Sequence, residues 1–177
     1  MNVDRFRLIC KLASLLLKAG AVFIAFTVMY SLFTYFFTDT NIWFNLNIPD
    51  FPFFNAVSGP LEDADMQLAA LISVPFNFLL SFYIFWKGSE LFQYLSGGHS
   101  PFAFKFAQSI KRLAIVMIVS DLLLPLFHSL LVTIIMDGRY YLIIGVGPSL
   151  MIGLILYAVS EVFTYGIELQ RLSDETV

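Results

Sequence analysis

The stretch "LAIVMIVSDLLLPLFHSLLVTIIM", residues 113–136, decides the fold. It is longer than the roughly 20 helical residues that cross a bilayer, and its only ionisable side chains are Asp121 and His128. The two lie seven residues apart, close to two helical turns, so they fall on one face with Leu124 and Pro125 between them. An aspartate and a histidine on one face of a hydrocarbon segment have the appearance of a site.

The rest of the chain agrees with a membrane setting. Of 177 residues, 59% are hydrophobic and 13% charged, against about 25% charged in a soluble domain. Twenty phenylalanines and eight tyrosines suit lipid contact and interfacial belts. A net charge of -3 excludes a general grip on nucleic acid, which needs a concentrated basic surface. The single cysteine, Cys10, excludes an intrachain disulfide and a cysteine-based zinc cluster.

Three further apolar stretches can cross a bilayer, giving an all-α, polytopic protein with spans at 19–37, 68–86, 113–136 and 142–166. The first follows a basic start and ends without a small-residue cleavage site, so it reads as an uncleaved signal anchor. Arg5, Arg7, Lys11 and Lys18 precede span one, Lys87, Lys105, Lys111 and Arg112 separate spans two and three, and Arg171 follows span four. Only Arg139 falls on the other side, and residues 38–67 carry no Lys or Arg. Both termini are therefore expected in the cytoplasm.

The connecting regions have their own character. Residues 1–18 read as an amphipathic helix on the membrane surface, as a sensor of anionic lipid or as a plain positive flank. Residues 38–67 mix Trp43, Phe44, Phe51, Phe53 and Phe54 with Pro49, Pro52 and Pro60, and predict an irregular hairpin-like cap on the outer interface. In residues 87–112, "ELFQYL" can continue span two, Gly97 and Gly98 supply a turn, and Ser100 and Pro101 mark a helix start. Phe102, Phe106, Ile110 and Leu113 then share an apolar side, which predicts an elbow lying along the inner surface before span three turns inward. Residues 167–177 form a polar tail.

Within the spans, Ser73, Asn77 and Ser81 make a polar stripe on span two, and Gly145, Ser149 and Gly153 a small-residue stripe on span four. Pro75, Pro125 and Pro148 are expected to distort their helices and free carbonyls there. Asp121 lies about 12 Å by helical rise from the cytoplasmic end of span three, and Glu161 near the same end of span four. A carboxylate at that depth needs a partner. Lys18, Lys111, Arg112 or a proton can serve, while His128 can hydrogen-bond a neighbour such as Asn77. The candidate intramembrane set is thus Asp121, His128, Glu161, Asn77 and Lys18, either a proton path or a set of interhelical locks.

Enzyme signatures are absent: the chain has no His-Glu-x-x-His, Gly-x-Ser-x-Gly, Cys-x-x-Cys or phosphate-cradling glycine loop. "GVGPSLMIG" has the look of a nucleophile turn, but Ser149 has no histidine in a defensible partner position. The reading is a non-enzymatic protein without metal or cofactor.

The tail "SEVFTYGIELQRLSDETV", residues 160–177, and the elbow "GHSPFAFKFAQSIKRLAIV", residues 98–116, together with four spans, resemble the bacterial membrane proteins grouped as domain of unknown function 2975. Pro101, Phe102, Lys111, Arg112 and Leu113 match the family's elbow, and Glu161, Phe163, Gly166, Leu169 and Thr176 its tail. Glu175 stands where the family has leucine, and the acidic run is short. The resemblance implies a bacterial inner-membrane protein that contacts a small cytosolic helix-turn-helix regulator, and itself binds no nucleic acid. Phe102, Phe104, Lys105, Lys111 and Arg112 are the candidate contacts. The alternatives are an in-membrane binding protein, such as an immunity factor or small transporter, or a structural subunit of a membrane assembly. Membrane lipid and a second copy of the chain complete the expected partners.

Overall fold

The computed structural model describes residues 3–37, 49–59, 63–100, 102–136 and 139–175. Trp43, Phe44, Pro60, Pro101 and Thr176, all singled out above, lie outside the described residues. The chain is all-α in class, and the described residues hold four helices long and apolar enough to cross a membrane: α1 (Val3–Phe37), α2 (Asp63–Ser96), α3 (Phe104–Ile135) and α4 (Pro148–Glu175). Two short strands, β1 (Phe51–Val57) and β2 (Tyr141–Val146), pair antiparallel.

Consecutive helices run in opposite directions. Lys18 of α1 meets Gln93 of α2, Tyr94 of α2 stacks on Phe106 of α3, and Lys111 of α3 reaches Glu161 of α4. These contacts collect the start of α1, the end of α2, the start of α3 and the end of α4 at one end of the bundle. We call it the basic end. The strands occupy the opposite part of the molecule, the strand end.

Two expected breaks do not occur. The basic segment 1–18 is not a separate surface helix, because α1 runs unbroken from Val3 to Phe37. The elbow likewise is no separate helix, for α3 is continuous from Phe104 to Ile135 and carries its lysines straight into the apolar segment. Neither junction, "LLLKAGAVF" nor "SIKRLAIV", contains a proline to stop a helix, so propagation costs less than a new start. The helix start itself is displaced. Ala103 is the extended residue before α3, and Ser100 Oγ instead accepts the Phe102 N–H at 3.1 Å, making a local turn. Span two does extend as expected, to Ser96, where Gly98 at φ +83° donates its N–H to the Leu95 carbonyl and ends the helix.

The largest difference concerns span four. Helix α4 begins at Pro148, not Leu142, and the six residues "YLIIGV" before it form β2. Pro148 therefore starts its helix instead of distorting one, a position its missing N–H and fixed φ favour. Gly145 leaves the expected helical stripe for the strand, where a Cβ would come within 2.5 Å of Pro49 Cγ and 2.6 Å of the Phe51 carbonyl. Ser149 and Gly153 remain on α4, and Gly153 brings the helix against Ile118 and the Ala114 carbonyl of α3. The cap expected at 38–67 is partly regular: β1 pairs Phe51 with Val146 through to Val57 with Tyr141, with an irregularity between Pro52 and Phe54, where proline cannot donate to the ladder.

Two clusters of buried side chains result. Ala69, Val132, Met136, Tyr141 and Ile143 fill the strand end. Cys10, Leu95, Phe106 and Ile110 fill the basic end, with Phe163 of α4 packed against them, so all four helices meet there. Many other large apolar side chains, among them Phe23, Phe26, Met29 and Phe33 of α1, are exposed, as lipid contact requires.

Candidate functional site

Asp121 is explained by what β2 needs. A strand has two edges, and a backbone N–H left unpaired in an apolar layer costs several kcal/mol, roughly. One edge of β2 pairs with β1. The other lies along α3, where side chains replace a third strand. Thr133 Oγ1 accepts the Tyr141 N–H at 3.0 Å and donates to the Tyr141 carbonyl at 2.8 Å. Ser129 Oγ accepts the Ile143 N–H at 3.1 Å and donates to the Ile143 carbonyl at 3.3 Å. Asp121 Oδ2 accepts the Gly147 N–H at 2.6 Å.

The spacing follows from elementary geometry. Four helical residues rise about 6.0 Å and two strand residues about 6.6 Å, so one helix face keeps pace with alternate strand residues. Thr133, Ser129, Pro125 and Asp121 thus run level with Tyr141, Ile143, Gly145 and Gly147. Among the described residues, no buried side-chain nitrogen or oxygen lacks a partner.

The Asp121 carboxylate sits at the start of α4, where the unpaired N–H groups and the helix dipole present partial positive charge. It therefore pairs with none of Lys18, Lys111 and Arg112, because backbone at the helix start supplies what a cation was expected to supply. By helical rise, Asp121 is about 21 Å from Ile135, so α4 starts far down the α3 length and β2 matches the remainder.

His128 is buried, and its Nδ1 lies 3.0 Å from Ser73 Oγ on α2. Its ring meets Tyr141 edge-on at 6.2 Å. The expected neighbour Asn77 is one turn away on the same stripe. Asn77 instead lines a cavity of about 200 Å³ with Ser81, Ser120, Asp121, Ser149 and Asp50. Asp50 precedes β1 and is exposed, and the register of β1 with β2 carries it to this depth. Asp121 and Asn77 are thus brought together. His128 belongs to a separate contact about 10 Å farther along α3, by helical rise.

Glu161 accepts a hydrogen bond from Lys111 Nζ at 2.6 Å, as one of the expected pairings had it, and Lys111 also lies over the Tyr157 ring at 5.1 Å. Lys18 pairs with the neutral Gln93 at 2.9 Å and not with a carboxylate. Of the elbow candidates, Phe102 packs edge-on to Phe163, Phe104 is 64% exposed, and Lys105 and Arg112 line a second cavity between α2 and α3. No group of three or more metal-ligating side chains exists among the described residues.

The residues not anticipated are Asp50, Ser73 as the histidine's partner, and the ladder members Ser129 and Thr133. The ladder's signal was present: Asp121, Pro125, Ser129 and Thr133 recur every four residues on one helix face. In comparisons with known proteins, the chain matches no family model, no curated protein and no solved structure.

Proposed function

We propose that the protein is a non-enzymatic membrane sensor or regulator, with its input at the Asp121 cavity and its output at the basic end. The observation that carries this is the placement of α4. Gly147, the residue just before its first turn, is held by the Asp121 carboxylate beside a polar cavity, and the same helix passes Lys111–Glu161 and continues to Glu175. A ligand or proton that takes the carboxylate from Gly147 N–H changes the anchoring of a helix that reaches the other end of the molecule. The basic end is cytoplasmic in this reading, since its lysines and arginines resist translocation. The resemblance to the domain of unknown function 2975 proteins supports a bacterial inner membrane and a small helix-turn-helix protein as the output partner. Exposed Phe104 and the projecting end of α4 are the surface offered to it.

A photoreactive residue at Phe104 in native membranes tests this. Capture of a small DNA-binding protein, reduced by Asp121→Asn with the fold intact, is the expected result. Capture of nothing from the cytosol sinks the output half, and capture insensitive to Asp121→Asn sinks the input half.

A second reading is favoured by the cavity itself. About 200 Å³ lined by Asp50, Asp121 and Asn77 suits a small cationic or hydrogen-bonding ligand, as an in-membrane binding protein or small transporter would use. Ligand uptake by vesicles carrying the protein, abolished by Asp50→Asn, would distinguish it from the sensor.

A further inference from the structure

The groove between α2 and α3 on the basic side has two parts in sequence. At the basic end is a cavity of about 320 Å³ lined by Tyr83, Lys87, Glu90, Lys105 and Arg112. Farther along lies an apolar hollow of about 700 Å³ lined by Phe76, Leu80, Val119, Leu123 and Leu130. The two hollows follow one face of each helix. On α3, residues 105, 109, 112, 116, 119, 123, 126 and 130 recur at alternating steps of four and three, and on α2 residues 76, 80, 83, 87, 90 do the same. Such spacing keeps every member on one side, so cavity and hollow form a single groove.

Among the described residues, the polar part holds three cations and one carboxylate. Lys87 is bonded to Glu90 at 2.7 Å. Lys105 and Arg112 make no side-chain hydrogen bond or ion pair among the described residues. An anion from outside the chain can pair with both, and the Tyr83 hydroxyl adds a donor beside them. Arg112 in particular presents a planar fork of donors that matches phosphate oxygens. The apolar part, from Ile115 to Leu130, is about 22 Å long by helical rise, more than the about 15 Å of one leaflet's hydrocarbon.

We infer that this groove is a binding site for an anionic phospholipid of the leaflet at the basic end. The phosphate lies between Lys105 and Arg112, and an acyl chain lies along Leu80, Val119 and Leu123. The order of the lining, cations first and hydrocarbon after, is the order of the lipid itself along the membrane normal. A soluble anion would use the first part and leave the second empty; a zwitterionic lipid would bring a choline cation with its phosphate and leave the net charge of the two cations uncompensated. The site is distinct from the Asp121 cavity, and the inference stands whether or not the sensor reading does.

The test uses the full chain purified in detergent, with retained lipid counted by native mass spectrometry after exposure to equal phosphatidylglycerol and phosphatidylcholine. The native chain retains phosphatidylglycerol in preference. Lys105→Gln with Arg112→Gln reduces that preference by about thirtyfold, the effect of two surface cations, while Lys105→Arg with Arg112→Lys keeps most of it. Both positions are exposed, so folding is not at stake. Val119→Trp, at a position 44% exposed, fills the hollow and lowers retention of both lipids. Glycerol phosphate at millimolar concentration displaces nothing. Equal retention of the two lipids by the native chain, or unchanged preference in the double glutamine variant, overturns the inference. Displacement by glycerol phosphate, or no effect of a folded Val119→Trp, shows an anion site without a lipid tail and overturns it too.

Discussion

The carboxylate of Asp121 accepts the N–H of Gly147 at 2.6 Å, and through that contact α4 begins beside the middle of α3 and not at its end. The aspartate, open from the sequence to a proton path or an interhelical lock, caps the turn that leads into a helix. Asp121→Ala leaves the Gly147 N–H without its acceptor, and a loss of about 1–3 kcal/mol in unfolding free energy is expected. Asp121→Asn keeps an oxygen in place and loses less. Mixed-micelle unfolding followed by circular dichroism checks both; equal stability of the alanine variant and the native chain would contradict the capping role.

The strand edge should come loose without its hydroxyls. In Ser129→Ala with Thr133→Val, the Tyr141 and Ile143 amides are released to exchange, while those of α1 are unaffected. Hydrogen exchange read by mass spectrometry on the peptide covering β2 reports this. Unchanged protection there would mean that β1 alone holds the strand.

Gly153 sets the separation of α3 and α4. An added Cβ would stand 2.7 Å from Ile118 Cγ1 and 3.0 Å from the Ala114 carbonyl, and the latter is backbone and cannot swing away. Gly153→Ala is expected to destabilise by about 1–3 kcal/mol. Gly166→Ala meets only the Phe102 ring at an ordinary 3.4 Å and serves as the matched control in the same melting experiment.

Lys111 and Glu161 are both partly exposed, so their pairing bears on the mutual register of α3 and α4 more than on stability. Lys111→Glu alone places two carboxylates together and lowers the thermal midpoint. Combined with Glu161→Lys, it recovers. Failure of the double reversal to recover would assign the loss to the Tyr157 contact instead.

Cys10 is 3% exposed beneath Leu95 and Phe106. A thiol reagent should leave the folded protein unlabelled in micelles and modify it fully in denaturant. Rapid labelling without denaturant would show that the four-helix cluster at the basic end opens readily.

The four helices were legible because a long apolar run has few other uses; the Lys111–Glu161 pair was open only as one among several, because Lys18, Lys111 and Arg112 all lie near the same end and charge alone does not choose between them. The strand was not legible. Hydropathy registers that "YLIIGV" is apolar and merges it with the helix behind it, although β-branched Ile143, Ile144 and Val146 followed by Gly147 and Pro148 were a signal for a strand and a fresh helix start. The partner of Asp121 was hidden for a different reason. It is a backbone amide, a donor that every residue but proline carries and that side-chain identity therefore does not mark. The partner of His128 lies one helical turn from the expected Asn77, because Ser73 and Asn77 occupy the same stripe and only the axial offset of α2 against α3 chooses between them.

The ladder between α3 and β2 works as a vernier. Its two scales differ by about 0.6 Å per step, and over the three steps from Thr133 to Asp121 the strand runs about 2 Å ahead of the helix. The two hydroxyls sit where the scales still coincide, and the longer aspartate stands where they have drifted, its extra bond of about 1.5 Å pointing along the chain toward the helix start, in the direction of the drift. One residue inserted into β2 would put the wrong edge against α3, and one inserted into α3 between Asp121 and Ser129 would turn the aspartate about 100° away. The lengths of these two segments are therefore coupled as tightly as the identities of the residues on them.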